Sequence, residues 1–192
     1  MLELTLGTNL IEAGCDEAGR GCLAGSLFGA AVILPADFHD PLLNDSKKLT
    51  PLRREKLRTI IEREAIAWSV VEISAQRVDE INVLRAAHES MALAVLNLDP
   101  QPQIAIIDGN LFKAELPIPH QCIVKGDGKY AHIAAASILA KTHRDEYMLA
   151  LAEQYPQYDW ASNKGYPTKR HRDAIAKYGL TPHHRLTFST TK

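Results

Sequence analysis

Residues 10–25, LIEAGCDEAGRGCLAG, organise the rest of the chain. An apolar run ends on two adjacent carboxylates, Asp16 and Glu17. Gly19-Arg20-Gly21 follows, and Leu23-Ala24-Gly25 leads into a second apolar stretch. Two neighbouring acids at the end of a buried strand repel each other and lose hydration. A multivalent cation removes that cost, and magnesium and manganese take carboxylate oxygens as ligands. The glycines on either side of Arg20 carry no Cβ, so backbone there can approach a ligand closely. The functional expectation is a metal site beside a backbone surface that touches substrate. The plain structural one is a solvated acid pair and a glycine turn. On an ideal strand, successive side chains point to opposite faces. For Asp16 and Glu17 to meet at one site, the strand must end or bulge there, or Glu17 must reach around; Ala18 and Gly19 suit a break.

Working outward, Glu12 to Cys15 and Gly25 to Leu34 read as two strands, the second closed by Pro35. Thr50-Pro51 is a good N-cap followed by a good first helical residue, and Leu52 to Glu64 continues as a charged amphipathic helix. Ala65 to Ile73 reads as a strand, Ser74 to Ile81 as a connector or short helix, and Val83 to Leu96 as a helix broken by Pro100 and Pro102. Ile104 to Ile107 is continuously apolar, as expected for a strand covered on both faces, and stops at Asp108-Gly109. Ile118 to Val124 is a further short strand, ending at Lys125-Gly126-Asp127-Gly128. Ile133 to Tyr155 gives the strongest helical pattern; its opening Ala134-Ala135-Ala136-Ser137 is small enough to pack close to a sheet. Lys169 to Tyr178 is a last helix, ended by Gly179. Interleaved strands and helices predict one α/β layer fold, a single domain over residues 1–192.

The 192 residues are enough for one domain with a sizeable core. No stretch has the length and lack of charge needed to span a bilayer, and the N-terminus has no basic region followed by a hydrophobic one. Cys15, Cys22 and Cys122 are odd in number and lack metal-ligand spacing, so they read as reduced thiols of a cytoplasmic protein. The net charge of −1 leaves room for a local basic patch offset by an acidic site.

Asp108 and Asp127 each stand just past an expected strand, so with Asp16 and Glu17 four carboxylates fall at strand ends or helix starts. The alternatives are that Asp108 is a turn residue and that Asp127 caps the long helix. A second constellation is basic: Lys47 and Lys48 in one loop, then Lys164, Lys169, Arg170, Arg172, Lys177 and Arg185 around Tyr166. Such a group suits a phosphate backbone with a ring stacked on a sugar or base, Lys47, Lys164 and Lys169 holding phosphates. It equally suits a solvated basic face with Tyr166 as edge packing.

DEAGRG, NDSKKLT, IIDGN, VKGDGK, IAAASILAK, NKGYPTKRH and HHRLTF occur in the order and spacing of bacterial ribonuclease HII, and the chain resembles that family over nearly its whole length. Ala18, Cys22 and Thr142 stand where the family usually has Val, Pro and Val; none removes a group the mechanism needs. The resemblance implies a ribonuclease H-like fold, a mixed central sheet flanked by helices with a helical C-terminal part. It implies a metal-dependent endonuclease that cuts the RNA strand of RNA–DNA hybrids and a lone ribonucleotide in duplex DNA, leaving 3′-hydroxyl and 5′-phosphate ends. It carries over Asp16, Glu17, Asp108 and Asp127 as ligands of two Mg2+ or Mn2+ ions. It carries over Gly19, Arg20 and Gly21 as the loop that feels the ribose 2′-hydroxyl, Tyr166 as the stacking residue at the RNA–DNA junction, and Ser46 with the lysines as further substrate contacts. A cytoplasmic monomer with no membrane partner is expected. Two other classes stay open: a DNA-cutting metal nuclease on the same fold, and a non-catalytic hybrid-binding module. The Gly19-Arg20-Gly21 and Tyr166 pair argues against the first, and the complete acid set against the second.

Overall fold

The structure, a computed structural model, describes residues 2–190. Its centre is a mixed five-stranded sheet in the order β3-β2-β1-β4-β5, formed by β1 (Glu12–Ala18), β2 (Leu27–Ile33), β3 (Ala67–Ile73), β4 (Ile104–Asp108) and β5 (His120–Ile123). β1, β2 and β3 are antiparallel neighbours, whereas β1, β4 and β5 run parallel. Parallel neighbours bring the carboxyl ends of β1 and β4 to the same edge of the sheet, where open α/β sheets take their ligands.

The helices are α1 (Pro51–Glu64), α2 (Ala75–Ile81), α3 (Val83–Leu96), α4 (Ala131–Gln154), α5 (Trp160–Asn163) and α6 (Lys169–Tyr178). Strand alternation assigns the two faces. Ala31 and Ile33 of β2, with Ala13 and Cys15 of β1, pack under Met91, Ala94 and Val95 of α3. Ala30 and Val32 pack on the other face against Ala134, Ala135 and Ile138 of α4, with Leu57 and Ile61 of α1 behind them. The expectation from the alanine run holds: α4 lies so close to β1 that a Cβ on Gly14 would fall on the His132–Ile133 backbone. Gly29 gives α3 the same access to β2, where a Cβ would strike Ser90.

The expected elements all form, with ends displaced by a few residues. α4 starts earlier, at Ala131, and α5, which the sequence did not announce, adds a turn in the C-terminal part. Asp127 does not cap α4. It sits in a 3-10 turn, Gly126–Gly128, and α4 starts after Tyr130 with no side-chain cap. Nor does β1 break or bulge at the acid pair. Its pairing with β2 runs through Asp16↔Ala30, Glu17↔Gly29 and Ala18↔Phe28. Lys47 and Lys48 belong to a 3-10 turn, Ser46–Lys48, rather than an irregular loop. Cys15 and Cys22 are buried and Cys122 half-buried, all as free thiols. Among the described residues no helix is long and apolar enough to cross a membrane.

Candidate active site

β1 pairs with β4 only as far as Cys15↔Ile107, so Asp16 and Glu17 project past the last shared rung. Beyond it lies a cavity of about 310 Å³ lined by Asp16, Glu17 and Asp108. This settles the geometric problem of the acid pair. Alternation still sends Asp16 toward α4 and Glu17 toward the other face, but with no strand beside them on the β4 side both reach the same opening. The Gly19-Arg20-Gly21 loop, Ser46, Lys47 and Tyr166 line the same cavity. Asp127 is buried just behind it and joined in two ways. Its Oδ2 accepts from Lys47 Nζ at 3.2 Å, and the neighbouring Gly126 N–H donates to Asp108 Oδ1 at 2.7 Å.

Each acid is turned to a protein partner of its own. Asp16 Oδ1 accepts the Glu17 N–H at 2.7 Å, and Ser137 also hydrogen-bonds the Asp16 carboxylate. Ser137 in turn meets Ser46 at 2.9 Å. Glu17 Oε1 accepts from Arg20 Nη1 at 3.2 Å. Among the described residues no three His, Cys, Asp or Glu side chains already form a metal cage. The partners do not cancel the cost of collecting the charges. Burial, then the charges of Glu17 and Asp108, push the Asp16 carboxyl well above its ordinary range. Burial also raises Glu17, against the opposing Arg20, and it raises Asp108, against the Gly126 N–H. The Lys47 side chain is 77% exposed, so solvent screens its pull on the buried Asp127.

Two buried arginines hold the backbone around the Gly19-Arg20-Gly21 loop: Arg144, which the sequence reading left without a role, and Arg185, which it counted in the basic group around Tyr166 but which is buried away from any phosphate. Arg185, fully buried, donates to the carbonyls of Gly19 (2.8 Å), Arg20 (3.1 Å) and Gly25 (2.9 Å). Arg144, also fully buried, donates to the carbonyls of Ala24 (3.2 Å), Ser26 (3.0 Å) and Lys164 (2.9 Å). Gly19 has φ 101°, in the left-handed region that favours glycine, and a Cβ there would collide with Arg144. Leu23 N–H donates to the Gly165 carbonyl at 2.8 Å, so the two loops are stitched together directly. Tyr166, 40% exposed, therefore stands beside Gly21, whose Cβ would lie 3.9 Å from the ring. Lys141 Nζ lies 5.8 Å from the ring centroid.

The basic constellation does not arrive whole. Lys47 reaches the cavity, but Lys164 and Lys169 do not line it. Lys164 Nζ turns to the Ala161 carbonyl, and Lys169 pairs with Asp173 at 2.6 Å, one helical turn on. Arg54, Ser137 and Lys141 line the cavity without having been singled out. The available signal was helical spacing: Ser137, Lys141 and Arg144 recur at i, i+4 and i+7 along α4. A larger groove of about 530 Å³ runs along α3 past His88 and Lys113. Its acids, Glu89 and Glu115, share the lining with Arg85 and Lys113, Glu89 pairs with Arg77 at 3.2 Å, and His88 Nδ1 already accepts the Lys113 N–H at 3.2 Å.

A mixed sheet of this order, with acids at the carboxyl ends of its parallel strands, is the ribonuclease H-like fold. The crystal structure of ribonuclease H2 from Pyrococcus horikoshii matches it with a TM-score of 0.79 at 28% identity, over 93% of this chain and 94% of that one. In sequence, residues 13–191 match the family described as Ribonuclease HII. A ribonuclease HII from Bacteroides thetaiotaomicron is 60% identical over 189 residues, 98% of this chain and 94% of the relative. One from Porphyromonas gingivalis is 54% identical over 188 residues, 98% and 94% of the two chains. The chain belongs to the ribonuclease HII family, and its activity is that of a type 2 ribonuclease H, an endoribonuclease.

Proposed function

We propose that residues 1–192 form one catalytic domain that hydrolyses the RNA strand of RNA–DNA hybrids and cuts 5′ of a single ribonucleotide in duplex DNA, leaving 3′-hydroxyl and 5′-phosphate ends. The observation that carries this reading is the meeting of Asp16, Glu17 and Asp108 with the Gly19-Arg20-Gly21 loop and Tyr166 in one cavity. The donor set fits a hard divalent cation: all oxygen, buried or half-buried, and held at raised pKa by burial and then by neighbouring acids, a cost that a cation relieves. Asp16, Glu17, Asp108 and Asp127 would hold it, and four carboxylates balance two such ions in formal charge. The chemistry a bound pair of Mg2+ or Mn2+ supplies is an activated water and a stabilised leaving oxygen. The protein's own groups do the rest. Backbone of the glycine loop, fixed by Arg185 and Arg144, faces the 2′-hydroxyl without side-chain obstruction and so reads the sugar whatever the base. Tyr166 stacks at the junction, Ser46 orients Asp16 through Ser137, and Lys47 exchanges Asp127 for a phosphate. Lys164 and Lys169 hold the strand farther out. The enzyme acts as a cytoplasmic monomer.

The test is a duplex with one ribonucleotide, run with magnesium, with manganese and without metal, beside an all-DNA duplex. Cleavage on the 5′ side of the ribonucleotide, only with metal, is expected; cutting of the all-DNA duplex would instead make the chain a general nuclease. The same assay reads pH. Protons and cations compete for the same carboxylates. Because Asp16, Glu17 and Asp108 are raised, the acid limb of the rate is expected above the ordinary carboxylate range near about 4. Added magnesium is expected to move that limb to lower pH. A limb that ignores magnesium concentration counts against metal binding by these acids.

A further inference from the structure

Behind the two recognition loops lies a buried cluster that the reaction does not use: Trp160, His171 and His184, each 2% exposed or less. Its hydrogen bonds leave one protonation pattern. Trp160 Nε1 is only a donor and points at His171 Nε2 at 3.0 Å, so that nitrogen carries no proton. His171 Nδ1 lies 3.0 Å from the Tyr166 carbonyl, which only accepts, so Nδ1 carries the proton. His171 Nε2 also meets His184 Nε2 at 3.2 Å, and since the first has no proton the second donates. His184 Nδ1 must then accept, as it does from the Thr181 N–H at 2.9 Å. Both rings are neutral, and the tautomers are opposite.

Each histidine is anchored to a different half of the recognition site. His171 holds the backbone of Tyr166 itself. His184 pairs with Ala24 in an antiparallel bridge, just past the Gly19-Arg20-Gly21 loop, and its neighbour Arg185 holds that loop's carbonyls. The Tyr166 carbonyl also accepts the Thr168 N–H at 2.8 Å, so the local turn closes without His171; what His171 adds is the link to the other loop.

We propose that the His171–His184 pair positions Tyr166 against the Gly19-Arg20-Gly21 loop and so sets the spacing at which the ribonucleotide junction is read. The proposal rests on the junction role given above to Tyr166 and the glycine loop. His171 and His184 touch no substrate and are positioning residues.

Two conservative variants separate positioning from stability. His171→Asn places an amide N–H near Nδ1, where it donates to the Tyr166 carbonyl, but leaves the Trp160 and His184 donors without an acceptor. His171→Gln does the reverse, placing its amide near Nε2. Unmet buried donors are costly, so the Gln variant is expected to melt higher. Activity is not expected to follow stability. Each variant breaks one link of the relay between Tyr166 and the glycine loop, so His171→Gln and His171→Asn are both expected to lose about tenfold in kcat/KM on the single-ribonucleotide duplex, less than the roughly hundredfold cost of a full 1 Å misplacement. Activity that follows melting temperature, with Gln above Asn, overturns the proposal. Tyr166→Ala separates the two layers of argument. If that variant cleaves the single ribonucleotide normally, the junction reading fails and the proposal with it. If it loses activity while His171→Gln does not, the proposal alone is overturned. Nitrogen NMR of the unaltered enzyme reads the rings directly: a proton on Nδ1 of His171 and on Nε2 of His184 is expected, and any other pattern overturns the assignment.

Discussion

Asp16→Asn and Asp108→Asn are each expected to lower cleavage by more than about a thousandfold while melting at or above the wild-type temperature in metal-free buffer. Loss of activity with gain of stability is the signature of charges gathered for function. Asn keeps the oxygen that accepts the Glu17 N–H at position 16, or the Gly126 N–H at position 108. What it removes is a negative charge that burial and neighbouring acids oppose. The sign follows from linkage. A carboxyl whose native pKa lies above its unfolded value of about 3.9 binds protons more tightly in the folded protein. It therefore destabilises the fold at neutral pH and stops doing so as pH falls through the raised native value. The melting advantage of Asp16→Asn is expected to be full above the raised native pKa and to shrink as pH falls below it toward the unfolded value, which calorimetry across that range would follow. Near-normal activity in either variant would remove that residue from the site. A melting temperature well below wild type would mean that the carboxylate has a structural role.

Gly14→Ala is expected to cost about 3 kcal/mol, at the upper end of overpacking, because the obstacle is backbone rather than a movable side chain. The added methyl falls where His132 and Ile133 open α4 against β1. Helix and strand must separate to admit it, and α4 carries Ser137, which hydrogen-bonds Asp16, and Arg144, which holds the Ala24 carbonyl. At roughly 2–4 °C per kcal/mol for a chain of this size, the melting temperature falls by about 6–12 °C. Gly128→Ala is the control, since a Cβ there meets nothing within 4 Å. Equal melting of the two variants would mean that α4 does not approach β1 this closely.

Element type was legible because it is local. Apolar runs marked the strands, Thr50-Pro51 marked the start of α1, and the alanine run announced a helix that packs close. The acids were legible as chemistry, since two adjacent carboxylates after an apolar run need a counter-charge wherever they sit. Their arrangement was not. On alternation alone Asp16 and Glu17 diverge, and only the termination of β1–β4 pairing at Cys15↔Ile107 lets both reach one cavity. The basic run in the C-terminal part read as one group, yet Lys169 spends its charge on Asp173 while Lys141, from another helix, stands over Tyr166.

The sequence by itself determined which elements form and which oxygen donors are available, because propensity, apolar runs and side-chain chemistry act over a few residues. Tertiary structure alone decided that Asp108 joins Asp16 across a parallel pair of strands. It alone decided that Arg185, some 160 residues away, fastens Gly19 and Gly25, and that a histidine pair ties Tyr166 to that loop. The physical reason is that burial creates these demands. A strand end has no partner until the sheet is ordered, and a loop carbonyl needs a donor from the chain only once folding has taken its water away.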